Sequence, residues 1–322
     1  MLLKTILYFD EVQEDMKRLF SMMKPEGFQL LYWQDMNPEE REKVLSHADF
    51  LLVATAKIDR EMILNAKRVK LIQKTGVGVD NIDVKTATRL QIPVANTYGG
   101  NATGVAELTL LFILALYRKL PLLNEATKQG KWLMWQWRSS SYEMDGKTHG
   151  IVGFGHIGRE TAKRSKALGT HIVYYDPYRA PPDVEKRLQA EYLSLAELLK
   201  TADIISLHLP LLPETKHLIG LRELQMMKES AILINVSRGG IVDEKALAQA
   251  LAEGIIAGAG IDVWSSEPVS ADHPLLKLDN VIATPHIGAG TRDTLERVLG
   301  MAFDNIQKAE NGDSIANVVN LQ

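Results

Sequence analysis

The chain has 322 residues, 46% of them hydrophobic and 24% charged, and 37 basic against 40 acidic side chains leave a net charge of −3. That length is more than one core usually supports, so two domains are expected, and the balanced charge without a long basic run excludes a nucleic-acid footprint. No cysteine is present, which excludes disulfides, thiolate catalysis and cysteine-based zinc sites, gives no reason to expect a metal, and fits a cytoplasmic protein.

No apolar run approaches the length of about 18 residues that marks a membrane span, so no membrane partner is expected. Met1-Leu2-Leu3-Lys4 meets Asp10 and Glu11 early and reads as the lead into a first strand rather than a signal peptide. Residues 1–98 alternate short apolar runs with charged segments of helical spacing; Thr5 to Phe9, Phe50 to Ala54, Val69 to Gln73 and Ile92 to Ala95 are strand-like. Gly99-Gly100 breaks this alternation. Asn101 can cap a helix, and Ala102 to Leu120 reads as one long apolar helix ending before Pro121, buried against the next domain or a partner subunit. Trp132, Trp135 and Trp137 follow; an interface arm and ordinary packing within the same chain are equally compatible with them. From Lys147 onward strands are expected at His149 to Gly153, His171 to Tyr175, Asp203 to Leu207, Ala231 to Val236, Gly258 to Val263 and Val281 to Thr284, apolar throughout as in a covered parallel sheet. A last helix spans roughly Thr291 to Ala309.

The turn Gly153-Phe154-Gly155-His156-Ile157-Gly158 follows a strand and opens a helix over Ile157 to Leu168. In that setting Gly153 permits the tight turn, Gly155 lets the backbone approach a pyrophosphate, and Gly158 lets helix and strand pack closely. The helix N-terminus adds free N–H groups and partial positive charge. Asp176 follows the next strand, 18 residues after Gly158, where a carboxylate meets ribose hydroxyls and repels a 2′-phosphate. The cofactor expected is NAD rather than NADP, with Arg179 as a weak counter-signal.

Ligands of open parallel sheets bind outside the carboxyl ends of the strands. Three such ends carry Arg238, Glu267 and His286. Reduction of a 2-oxo acid needs a hydride, a proton and a hold on the carboxylate. An arginine grips the carboxylate, a histidine donates the proton, and a glutamate beside it fixes the ring. Each has a plainer reading: a loop arginine, a turn acid, a packed histidine. His208 also follows a strand and is a weaker candidate for the cofactor wall.

These residues amount to a pattern. The chain resembles the D-isomer-specific 2-hydroxyacid dehydrogenases over nearly its full length, through Thr75-Gly76-Val77-Gly78-Val79-Asp80-Asn81-Ile82-Asp83, the glycine turn, Asn235-Val236-Ser237-Arg238-Gly239-Gly240-Ile241-Val242-Asp243, Gly260-Ile261-Asp262-Val263-Trp264 through Glu267-Pro268, and Thr284-Pro285-His286-Ile287-Gly288. The resemblance implies an α/β fold of two Rossmann-like doubly wound domains. An NAD-binding domain, 99–289, would be inserted into a flavodoxin-like substrate domain, 1–98 and 290–322. It implies Arg238, Glu267 and His286 as the catalytic set, with His286 as acid/base. Substrate would be held at Val77, Gly78, Val79 and Arg238. The cofactor would be held at Thr103, Gly153, Gly155, His156, Ile157, Gly158, Asp176, Thr215, Val236, Ser237, Arg238 and Asp262. It further implies a homodimer and a small 2-oxo or 2-hydroxy acid as substrate.

Within the family the pattern looks closest to the 3-phosphoglycerate dehydrogenases; glyoxylate or hydroxypyruvate reduction is the alternative. Where many phosphoglycerate enzymes carry an arginine after the strand ending near Val53, this chain has Ala54-Thr55; Lys74 is the residue that could partly serve a phosphate. An NAD(H)-sensing interaction protein, like the corepressors that share the fold, is the reading from another class.

Overall fold

The apolar runs form two separate parallel sheets in the computed structural model, which describes residues 3–321; Met1, Leu2 and Gln322 lie outside the described residues. The chain divides into two compact units, one of Met1–Asn101 with Arg292–Gln322 and one of Ala102–Thr291.

The first unit holds β1 (Lys4–Tyr8), β2 (Phe28–Tyr32), β3 (Phe50–Val53), β4 (Leu71–Lys74) and β5 (Val94–Ala95), in the order β2-β1-β3-β4-β5. Every pair is parallel, with register Ile6↔Phe50, Leu51↔Ile72 and Ile72↔Val94. β2 was not expected from the sequence. The helix Arg292–Asn311 covers one sheet face: its Leu299, Ala302, Phe303 and Ile306 pack with Ile6, Phe50, Leu52 and Leu71. Its buried Asn305 donates to Gln73 Oε1 at 3.0 Å and exchanges two hydrogen bonds with Ala316.

The second unit holds β6 (Thr148–Val152), β7 (His171–Tyr175), β8 (Ala190–Tyr192), β9 (Ile204–Leu207), β10 (Ile232–Asn235), β11 (Gly258–Ile261) and β12 (Val281–Ala283). Their order is β12-β11-β10-β9-β6-β7-β8, again all parallel. The order reverses between β6 and β9, the switch point at which such sheets open a crevice. β9 and β10 are buried along their whole length, their polar Ser206 and Asn235 included.

The single helix expected over Ala102 to Leu120 is two helices, Ala102–Tyr117 and Leu120–Lys128. Lys119 adopts a left-handed conformation (φ 53°) between them, and Pro121 stands in the first turn of the second helix instead of ending the first. The Asn101 cap is also not made, since its Oδ1 is buried without a hydrogen-bond partner.

Candidate active site

The dinucleotide turn is built by steric necessity. Gly153 has φ +95°, and a Cβ there would lie 2.7 Å from the carbonyl oxygen of His208. A Cβ on Gly158 would lie 2.1 Å from the carbonyl oxygen of Gly153, so the helix His156–Ala167 can approach β6 only if that side chain is absent. Gly155 is the N-cap residue of this helix and His156 its first residue, leaving the first-turn amides at the mouth of the turn. Ile157 packs into an apolar cluster with Val105, Phe112 and Val236. Asp176 sits where the sequence placed it: its Oδ2 accepts from Phe154 N at 2.8 Å and its Oδ1 from Tyr178 N at 2.9 Å. Arg179 is engaged elsewhere, with Nε and Nη2 on the Glu185 carboxylate at 2.8 and 3.1 Å.

The loops after β10, β11 and β12 carry the three expected reactive side chains. His286 Nδ1 lies 2.8 Å from Glu267 Oε2, and Glu267 Oε1 accepts from Trp264 N at 3.0 Å. Both side chains are 39% exposed, so the ring is held on one nitrogen and reachable on the other. His286 has φ 55°, a left-handed conformation that costs a non-glycine residue about 1 kcal/mol or more. Asp262 holds that turn. Its buried carboxylate accepts from the Thr284 hydroxyl and from the amides of Ile287 and Gly288, and its carbonyl accepts from His286 N at 2.7 Å. Both oxygens of Asp262 are thus spent within the chain, so a cofactor contact there has to share a carboxylate already in use.

Arg238, half-buried in the loop after β10, comes next in strand order, with Nη1 donating to Ser237 O at 2.7 Å. A residue the motif reading passed over shapes its turn: buried Asn235, the last residue of β10, accepts from Ser237 N and Oγ and donates to Arg238 O at 3.0 Å. The signal for it was an amide ending an otherwise apolar strand. Val236 and Ser237 are buried in the same turn. Thr215 ties its own loop through Pro210 O and Leu212 N, and Thr103 is half-buried on the helix Ala102–Tyr117.

The turn after β4, in the other unit, offers backbone instead of side chains. Among the described residues no hydrogen bond uses the amides of Val77, Gly78 or Val79, while Val77 O accepts from Asn96 Nδ2 at 2.8 Å. Asp10 accepts from the amides of Ala54, Thr55 and Ala56 and from the Thr55 hydroxyl. Lys74, which the sequence offered only as a residue that could partly serve a phosphate, is buried; its ammonium donates to Ala54 O and to Asn81 Oδ1 at 2.7 Å. It joins two loops of its own unit, an arrangement that residue type alone did not reveal.

A family model described as the D-isomer specific 2-hydroxyacid dehydrogenase NAD binding domain matches residues 110–288. A glyoxylate reductase of Korarchaeum cryptofilum is 40% identical over 302 residues, 92% of this chain and 90% of that protein. A D-3-phosphoglycerate dehydrogenase of Methanocaldococcus jannaschii is 42% identical over 288 residues, 89% of this chain, but the match spans only about half of that relative, 54%. The crystal structure of a D-lactate dehydrogenase from Aquifex aeolicus, complexed with NAD and lactic acid, superposes with a TM-score of 0.85 at 30% identity, covering 98% of this chain and 99% of the other. No helix among the described residues is long and apolar enough to cross a membrane.

Proposed function

The chain belongs to the D-isomer specific 2-hydroxyacid dehydrogenase family and carries its NAD-binding domain, and from that premise we propose that it reduces a small, unphosphorylated 2-oxo acid such as glyoxylate or hydroxypyruvate. The observation that carries the reading is the 2.8 Å pair of His286 Nδ1 with Glu267 Oε2 on adjacent strand ends.

Bound NADH supplies the hydride, and NAD takes it back in the reverse direction. With Nδ1 held by Glu267, proton delivery falls to Nε2 of His286, which gives its proton to the carbonyl oxygen as the carbon is reduced. Glu267, anchored on Trp264 N, keeps the ring from rotating. Arg238 holds the substrate carboxylate and polarises the neighbouring carbonyl, as a guanidinium fork does. Within the first unit, the amides of Val77, Gly78 and Val79 make no hydrogen bond among the described residues and form an anion-binding turn of their own. Asp176 favours NAD over NADP, and the engagement of Arg179 with Glu185 supports that preference.

Two features favour an unphosphorylated substrate. Asp10 already fills the amides of the loop Ala54-Thr55-Ala56 with a carboxylate, and Lys74 spends its ammonium on Ala54 and Asn81. An assay panel tests this: NADH oxidation with glyoxylate, hydroxypyruvate and pyruvate against NAD reduction with 3-phosphoglycerate. The small 2-oxo acids are expected to exceed phosphoglycerate in kcat/KM by roughly 100-fold or more, about 2.7 kcal/mol. Equal or reversed preference would sink the assignment.

The chain is also proposed to pair with a second copy through the second unit. Leu111, Leu120, Met134, Trp132 and Trp135 are exposed there, the two tryptophans at 78% and 68%. Light scattering of the wild type and of Trp132→Glu checks this; a monomeric wild type would overturn it. A cytoplasmic location is proposed on the cysteine-free composition, and cell fractionation tests it.

A further inference from the structure

Five polar side chains in the second unit form one unbroken hydrogen-bonded line that the reaction as described does not use. It runs from Thr170 Oγ1 to Ser165 Oγ at 2.8 Å and on to His149 Nδ1 at 2.8 Å. From the other side of that ring, His149 Nε2 meets Ser206 Oγ at 2.8 Å, and Ser206 Oγ meets His208 Nε2 at 2.9 Å. Thr170, Ser165, His149 and Ser206 are all buried. Burial pushes both imidazoles down to about 3, so both are neutral at physiological pH, each with one N–H and one lone pair. At the end of the line, Nδ1 of His208 is buried without a hydrogen-bond partner among the described residues.

Counting protons leaves the line two possible directions. Ser206 Oγ bridges two imidazole nitrogens with a single proton, so it donates to one and accepts from the other. His149 has a single N–H and therefore couples the two halves. Only two arrangements make every bond. In one, Thr170 donates to Ser165, Ser165 to His149 Nδ1, His149 Nε2 to Ser206, and Ser206 to His208 Nε2; the His208 proton then sits on Nδ1. In the other every donor is reversed, His208 Nδ1 is a bare acceptor, and the Thr170 hydroxyl proton has nowhere to go, because the one side-chain bond of Thr170 is to Ser165. Each arrangement leaves one donor and one acceptor unmet at the two ends of the line, so an acceptor oxygen placed at His208 Nδ1 selects the first.

His208 is the first residue beyond β9. Its amide donates to Val152 O, at the end of β6, at 2.8 Å, and its carbonyl lies against Gly153 of the glycine turn. It therefore stands at the switch point between β6 and β9, where open parallel sheets hold dinucleotides. We propose that His208 contacts the cofactor as an Nδ1–H donor to a phosphate or ribose oxygen of the dinucleotide, and that Thr170, Ser165, His149 and Ser206 are positioning residues that hold its ring and take the matching proton order. The proposal rests on the NAD reading above.

The test combines histidine-selective ¹⁵N NMR on the full chain, free and with NADH, with fluorescence titration of NADH. The NADH complex is expected to show His208 protonated on Nδ1 and His149 on Nε2, with the His208 Nδ1 resonance moving on NADH addition. His208→Phe should raise the NADH Kd about tenfold, whereas His208→Asn, which returns an N–H near the Nδ1 position, should stay within about threefold of wild type. Ser206→Ala should convert His208 to a mixture of tautomers and weaken NADH binding. A His208 proton on Nε2 in the NADH complex overturns the proposal even if a variant fails to fold. So does a folded His208→Phe protein with wild-type Kd. A wild type that binds no NADH at all overturns the NAD reading itself.

Discussion

The carboxyl edges of the two sheets are made from the same parallel architecture and finished in opposite ways. At the edge of the seven-stranded sheet, side chains are held in place by short bonds: His286 by Glu267, Arg238 by Ser237, His208 by Ser206. At the edge of the five-stranded sheet, Asp10 and Lys74 are consumed by internal bonds and the backbone amides of residues 77–79 are left over. One edge keeps its chemistry in side chains and the other in main chain. The difference separates what mutations should break: rate on one edge, stability on the other.

The largest effect is expected from His286→Ala, which should lower kcat/KM about 100- to 10,000-fold while leaving Tm close to wild type. Steady-state kinetics beside a melting curve decides it, and a large Tm loss would erase the contrast. Asp10→Ala should do the reverse. It strips the acceptor from three amides and a hydroxyl and is expected to cost about 2 kcal/mol, a fall of roughly 5–10 °C in the melting of its own unit.

Acid should discriminate the units next. His149 and His208 bind their protons near pH 3 when folded but near the ordinary 6.5 when unfolded. Between those values the unfolded state binds more protons. Stability is therefore full above about pH 6.5 and falls as pH drops toward 3, at about 1.4 kcal/mol per pH unit for each ring. Urea titrations from pH 7 to 5 should show the second unit losing stability first, and His149→Gln should flatten that slope. The smallest change is expected from Asp176→Asn, which should shift the NAD-to-NADP preference about tenfold toward NADP, or about 1.4 kcal/mol, read from the ratio of the two kcat/KM values.

Much of this was legible in the sequence wherever physics forces a local pattern. Covered parallel strands must be largely apolar, so β6, β7, β9 and β10 announced themselves, and the glycine turn did so because Cβ atoms at 153 and 158 have no room. The edge strands β2 and β8 escaped notice. Ala190-Glu191-Tyr192 is too short for a pattern, and Phe28–Tyr32 is mostly half-buried. Pro121 misled because proline marks a helix start as readily as a stop. Asp10 and the pairing of His149 with Ser206 could not be read at all: their partners lie tens of residues away, and those of Asp10 are mostly backbone amides that carry no residue identity.

The helix Arg292–Asn311 belongs to a unit whose other elements precede it by some two hundred residues. During synthesis the whole second unit emerges before this helix does. Until then the face formed by Ile6, Phe50, Leu52 and Leu71 has no cover from Leu299 and Phe303. The first-made portion of the polypeptide is thus the last to be finished, and a ribosome stalled near residue 290 would display a sticky half-built sheet to chaperones and proteases.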